Sequence, residues 1–258
     1  MCIRDRNNVD YIDNDPNAHL DGDAYAPTHF SLTRSVVGRP VGSFFGLVEE
    51  GIFQSSVDYT TYKVTEPGLT AANAAGHFKF KDINKDGKID DKDRTFIGSP
   101  HPKCTYGINI GLNYKGFDLG VFIQGLNGNK LFNYWRTNSV FPGALGAGSD
   151  NTWSTTNTSA TLPIWNNVAT DDKNPSSFFV EDGSYLRLKS LQFGYTLKTI
   201  NGFSKLRIYV QGYNLFTLTK YKGIDPEIST GSAINNGIDY GGNYPIARKI
   251  LIGINLGF

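Results

Sequence analysis

TYGINIGLNYKGFDLGVFIQ, residues 105–124, decides the fold. Tyr106, Ile108, Ile110, Leu112 and Tyr114 fall on one side of a period-two alternation, and Thr105, Gly107, Asn109, Gly111 and Asn113 on the other. After Lys115-Gly116 the alternation resumes: Phe117, Leu119, Val121 and Ile123 carry the apolar side, and Asp118, Gly120, Phe122 and Gln124 the other. Successive side chains of a strand point to opposite faces, so each half is a strand with one apolar face. A two-residue connection ending in glycine makes the pair a hairpin. Each half has the length a tilted strand needs to cross a bilayer, about 9–11 residues. The second face, with Asn109, Asn113, Asp118 and Gln124, is too polar for a packed core. That combination describes a wall between lipid and water.

The same pattern recurs down the chain. Residues 185–197 read as a strand whose apolar phase shifts near Ser190-Leu191, from Leu186 and Leu188 to Leu191, Phe193, Tyr195 and Leu197. A β-bulge there would reconcile the two phases. Residues 205–218 alternate through Leu206, Ile208 and Val210, and the chain closes on Ile250, Ile252, Ile254, Leu256 and Phe258. A terminal aromatic on an amphipathic strand is what the outer-membrane assembly machinery of Gram-negative bacteria reads. An earlier strand is expected over residues 43–53, another over 29–36, and a short helix over 68–76.

The connections alternate between long (54–104), short (115–116), long (127–184), short (198–204) and long (219–246). Long loops gathered at one end and tight turns at the other are the habit of a transmembrane barrel; structureless loops above about 15 residues are uncommon in compact domains. Six or seven strands cannot close such a barrel, since the smallest has about eight and an open edge in lipid leaves backbone groups unpaired. The expectation is therefore an all-β fold that is one part of a larger antiparallel barrel. Residues 1–6 look like a non-native scar, which leaves 7–258 as the barrel portion.

Composition removes other classes. The 258 residues carry 25 basic and 24 acidic side chains, which argues against a nucleic-acid partner. Aromatic residues at 13% exclude a disordered tail. No apolar run is long enough for a transmembrane helix, and two cysteines make no disulfide framework.

The sharpest local motif is DINKDGKIDDKD, residues 82–93. Asp82, Asn84, Asp86, Asp90 and Asp93 place side-chain oxygens at loop positions 1, 3, 5, 9 and 12, and Lys88 offers its carbonyl at position 7. Gly87 stands where such a loop turns sharply, and Ile89 would anchor it. Ca²⁺ takes 6–8 hard oxygen ligands, and this order supplies them. Asp93 stands where a longer Glu is usual, which points to weaker binding. The flanks read as extended, and the ion's role would be to clamp a long loop. An Asx-rich turn without metal is the alternative.

Other constellations are thin. His19, His29, His77 and His101 lack metal spacing, and no serine has triad partners. Asp171-Asp172 and Glu181-Asp182 read as solvated loop charge rather than a glycosidase pair. Trp135, Trp153 and Trp165 lie among Asn, Ser and Thr, so they would either stack on a sugar or pack their own loop.

Taken together these blocks resemble the C-terminal part of SusC/RagA-family TonB-dependent outer-membrane receptors. The matching stretches are Gly51–Gln54, Phe80–Arg94 with Ile97-Gly98, Tyr106–Asp118 with Gln124-Gly125, Ser184–Lys189 with Gly194-Tyr195, Leu206–Phe216, Thr219–Gly223, Asp225-Pro226-Glu227, and Gly237–Tyr240 with Tyr244-Pro245 and Arg248. They keep their order over most of residues 40–258. The resemblance implies a barrel of about 22 strands with a plugged lumen. It implies import of oligosaccharides or peptides without catalysis. A SusD-like lipoprotein would cover the extracellular loops, and TonB–ExbB–ExbD would act through a plug that these residues do not include. The family's oligosaccharide importers make a glycan the leading substrate expectation. The competing reading is a secreted, Ca²⁺-stabilised β-sandwich that binds carbohydrate.

Overall fold

Strand β1 (Cys104–Tyr114) and strand β2 (Phe117–Asn127) meet at Lys115-Gly116. Both turn residues have positive φ, 45° and 90°, as a tight I′-type hairpin requires. The computed structural model describes residues 2–3, 8–15, 17–24, 28–140, 151–164, 171–200 and 203–257. Three more long strands follow: β3 (Tyr185–Ile200), β4 (Phe203–Tyr213) and β5 (Lys249–Gly257). The order along the sheet is β1-β2-β3-β4-β5, every neighbour antiparallel. Cys2–Ile3 pairs with Tyr106 and Thr105 on the outer edge of β1, so two of the residues set aside as a scar join the sheet.

Register makes the two faces continuous. Leu112 lies opposite Leu119, Leu119 opposite Phe193, Phe193 opposite Val210, and Val210 opposite Ile252. The apolar rows therefore run unbroken across five strands. Among the described residues nothing covers them: Ile252 is 80% exposed, Ile254 62% and Leu112 58%. Contiguous apolar surface on this scale marks a face made for another apolar phase. A sandwich would have packed a second sheet there.

The expected bulge is present. Leu188 pairs with Ile123 and Ser190 with Phe122, which leaves Lys189 as the extra residue. The last turn is tighter than expected: β3 and β4 continue to an Ile200–Phe203 pair.

Two strand assignments change. Residues 43–53 do not span as one strand but split into Ser43–Gly46 and Glu49–Ile52, and these belong to different small sheets. The Ser43–Gly46 segment is buried on both faces, so it lacks the one-sided pattern of the wall. Thr33–Val36 is likewise only four residues long and pairs with Ser43–Gly46 in a four-stranded sheet away from the wall. The wall thus has five long strands among the described residues.

The long connections fold rather than dangle. Phe78, Phe80, Ile89, Phe132, Phe179 and Ile238 come from all three of them and join Leu32, Phe44 and Leu47 in one buried cluster. The expected helix over 68–76 is absent. Asn73 Oδ1 accepts from the Thr70 amide at 2.6 Å, and its Nδ2 donates to the Gly68 carbonyl at 3.0 Å. Such side-chain bonds compete with helix. The helix lies earlier, at Ser56–Tyr62, where Ser55 caps the Asp58 amide. A second covers Tyr134–Val140.

Candidate functional site

Two polar surfaces hold the chemistry: the inner face of the wall and the junction where the loops sit on its upper end. On the inner face Asp118 of β2 reaches across β3 to Arg207 of β4. The guanidinium engages the carboxylate twice, Nε to Oδ1 at 2.9 Å and Nη2 to Oδ2 at 2.6 Å. Gly194 lies beneath them, where a Cβ would come within 2.6 Å of Asp118 Oδ1. Glycine here is needed for the ion pair to cross an intervening strand.

At the upper end Arg187 is 2% exposed although it carries a full charge. Its Nη2 donates to Asp225 at 2.7 Å, its Nη1 to Glu227 at 2.6 Å and its Nε to Thr217 Oγ1 at 2.8 Å. Lys189, the bulge residue, also donates to Glu227, at 2.7 and 2.8 Å. A buried charge is tolerable when it is paired and hydrogen-bonded like this. Two residues apart on β3, Arg187 and Lys189 share one strand face and so converge on one loop. The cluster ties residues 225–227 to the wall.

A second set of bonds ties the head together. Tyr221 donates to Asp239 at 2.5 Å; burial, and then that bond, push its phenol well above its ordinary value. Asn133 donates to Glu181 at 3.1 Å, and Arg136 lies over the Phe178 ring. Burial lowers the pKa of Arg136 and raises that of Glu49, which it faces. His77 and Asp172 form a buried pair at 2.5 Å, with Asp172 also accepting from the Phe78 amide. The expectation of solvated charge therefore fails for Asp172, which is 4% exposed, and for Glu181, whose side chain is 9% exposed. Both are structural pins drawn from segments far apart in sequence.

The 82–93 loop forms with the expected turn, Gly87 at φ 84°. Ile89 is buried in the main core cluster and its amide bonds the Thr65 carbonyl, so the anchor is real. Asp82 accepts from the amides of Lys85 and Gly87, Asn84 from Asp86, and Asp86 from Lys88. Asp93 is fully buried and closes the loop, taking the Ile83 and Asn84 amides on one oxygen and the Asp90 amide on the other. The Lys92 amide, then Lys88, hold Asp90 below the usual carboxylate range. Among the described residues no three His, Cys, Asp or Glu side chains are gathered to hold an ion. The oxygens suit Ca²⁺ in kind and order. To bind it, Asp82, Asp86 and Asp90 would have to be drawn inward, using lone pairs that the amides leave free.

The tryptophans separate. Trp153 is 7% exposed, its indole N–H donating to Gln54 at 3.1 Å and its ring packed against Gly76. Trp135 is half exposed beside Gly241. Trp165 lies outside the described residues. Sequence reasoning missed Arg187, Lys189, Asp225 and Glu227 as a cluster. The available signal was two cations on one strand face followed by a short acidic pair around a proline.

No protein-family model matches the chain. TonB-dependent receptor P3 of Formosa agariphila is 36% identical over 248 residues, covering 90% of this chain and 24% of the receptor. TonB-dependent receptor SusC of Bacteroides thetaiotaomicron is 27% identical over 188 residues, covering 69% of this chain and 17% of SusC. Among solved structures, that of the RagAB peptide transporter superposes with a TM-score of 0.65 at 22% identity, covering 88% of this chain and 24% of that one. The chain spans about a quarter of the length of receptor P3 and of the RagAB transporter chain it superposes on.

Proposed function

This chain belongs to the SusC/RagA family of TonB-dependent receptors, outer-membrane β-barrel proteins rather than enzymes, and from that premise we propose that it forms the C-terminal sector of the barrel of a nutrient importer. The observation that carries the reading is the two-faced wall, apolar outside and polar inside, with every long connection folded into a head at one end. In this reading the head is the extracellular face, and a SusD-like lipoprotein docks on it. TonB–ExbB–ExbD supplies energy through a plug encoded elsewhere in the receptor.

The cargo in this proposal is an oligosaccharide. Exposed Trp135 offers a stacking face, and SusC is among the relatives. A peptide cargo is favoured instead by the likeness to a peptide transporter. The test is uptake by cells carrying the complete receptor and its neighbouring lipoprotein, offered labelled maltoheptaose and, separately, a labelled peptide mixture. Uptake of the sugar that stops with a protonophore supports the reading. Peptide uptake alone would move the cargo to the second class, and uptake indifferent to the protonophore would remove the energised-import reading.

Calcium at residues 82–93 is a separate proposal, supported by the donor order and the buried Ile89 anchor. Calorimetry should find saturable Ca²⁺ binding that a combined Asp82→Ala and Asp86→Ala variant loses. Equal heats from both proteins would sink it.

A further inference from the structure

At the upper end of the wall the apolar face finishes in a row that crosses four strands. Tyr106 of β1 lies opposite Gly125 of β2, Gly125 opposite Leu186 of β3, and Leu186 opposite Leu218 of the short strand Thr217–Thr219. Tyr106 and Leu218, the latter 60% exposed, stand at the two ends of the row and line a groove of about 550 Å³. Tyr106 leans over Gly125 and its hydroxyl donates to the Tyr185 carbonyl at 3.3 Å, a place that a Cβ at position 125 would block at 2.4 Å. One step higher on the same face the chemistry changes. Asn127 is two residues beyond Gly125 and Lys220 two beyond Leu218, so both face outward, and both line the groove together with Asp182 and Ser184. Lys130 stands opposite Asp182 in the strand pair above. The Asp182 carboxylate accepts from the Ser184 hydroxyl and amide at 2.7 and 3.0 Å. Among the described residues neither Lys130 nor Lys220 makes an ion pair, and the Asn127 side chain makes no hydrogen bond.

We propose that this groove seats one membrane lipid with an anionic phosphate headgroup, an acyl chain lying between Tyr106 and Leu218 and the phosphate held by Lys130 and Lys220 with the Asn127 amide. Continuity decides the chain: the groove runs into the apolar rows below it at Ile108 and Ile123, so a chain passes from it into the bilayer without crossing polar surface. Charge decides the headgroup: two cations face one carboxylate, and basic side chains beside a bilayer attract anionic lipids. A tyrosine at the level where the face turns polar fits a membrane–water boundary. The inference rests on the reading of the outer wall as lipid-facing and is independent of the cargo.

The test is native mass spectrometry of the complete receptor in mild detergent with equal amounts of dioleoylphosphatidylglycerol and dioleoylphosphatidylcholine. The anionic lipid should be retained at least fivefold over the zwitterionic one. A combined Lys130→Gln and Lys220→Gln variant should bring the ratio within twofold of unity. A combined Lys81→Gln and Lys85→Gln variant, which removes two exposed cations elsewhere in the head, should leave it unchanged. Both pairs are exposed, so the variants fold. A preference that survives the first variant, or falls equally in the second, would overturn the site. So would displacement of the lipid by sn-glycerol 3-phosphate at equal concentration, which would make the ligand a free phosphate. Equal retention of both lipids would remove the site and leave the lipid-facing wall standing, whereas retention of neither would count against the wall as well.

Discussion

Arg187 shows how much one side chain can decide. Removing one partner from a buried ion pair costs roughly 3–5 kcal/mol, because the other charge stays behind without compensation. Arg187→Met should therefore destabilise the receptor by about that amount, leaving Asp225 and Glu227 facing each other beneath Thr217. Lys189→Met should cost no more than about 1 kcal/mol, since a part-exposed pair is screened; the Lys189 side chain is 22% exposed. Thermal unfolding of the two variants, with limited proteolysis across residues 217–240, separates the roles; equal effects would mean that Arg187 is not the clamp. Asp182 gives a pH signature. Hydrogen bonds from the Ser184 hydroxyl and amide hold its pKa below the ordinary Asp value. A carboxylate with a depressed folded-state pKa contributes stability above its unfolded pKa and loses it as pH falls through the folded one. The Ser184 amide resonance should accordingly titrate with a midpoint below that of an ordinary Asp carboxyl, and a midpoint at or above the ordinary value would mean that the bond does not hold.

At the scale of elements, the hairpins were legible because their information is local. Period-two alternation sets the face and Lys115-Gly116 sets the turn, so β1 and β2 follow from one short stretch; the phase slip at Ser190 likewise announces the bulge at Lys189. The head was not legible, because Phe44, Phe78, Phe132, Phe179 and Ile238 meet from segments with no shared periodicity. Residues 43–46 do form a strand, but one buried on both faces and so outside the wall, while Asn73 side-chain bonds defeated a helix that composition allowed. Of the 82–93 loop, the turn and anchor could be read ahead, but not the way Asp93 would spend both oxygens on amides. Gly194 offers the test at this scale. An added Cβ at 2.6 Å from Asp118 Oδ1 and 2.8 Å from Arg207 Nη2 leaves no room for the ion pair. Gly194→Ala should lower the temperature at which the barrel loses its folded gel mobility. The same change in an Asp118→Asn, Arg207→Gln background should cost much less, because the groups it displaces no longer attract each other. Equal losses in both backgrounds would show that Gly194 serves the backbone instead.

For the whole molecule, the decisive property is that one step along a strand crosses from lipid to water. Ile108 and Ile110 flank Asn109 on β1, and register carries their apolar rows through to β5. Both edges of this sheet carry backbone groups that a bilayer cannot satisfy, so the wall needs the rest of the barrel to close it. The prediction is made on the complete receptor in outer-membrane vesicles, with single Ile108→Cys, Asn109→Cys and Ile110→Cys variants. A charged, membrane-impermeant maleimide should label position 109 and spare 108 and 110, once the parent's own reaction is subtracted. A lipophilic maleimide should give the opposite pattern. A soluble sandwich would bury the isoleucines against a second sheet and protect them from both reagents. Uniform labelling by the charged reagent would place all three positions in water. Only the alternating result is compatible with a wall whose outer rows, Ile252 at 80% and Ile254 at 62% exposure, are made to be covered by acyl chains rather than by protein.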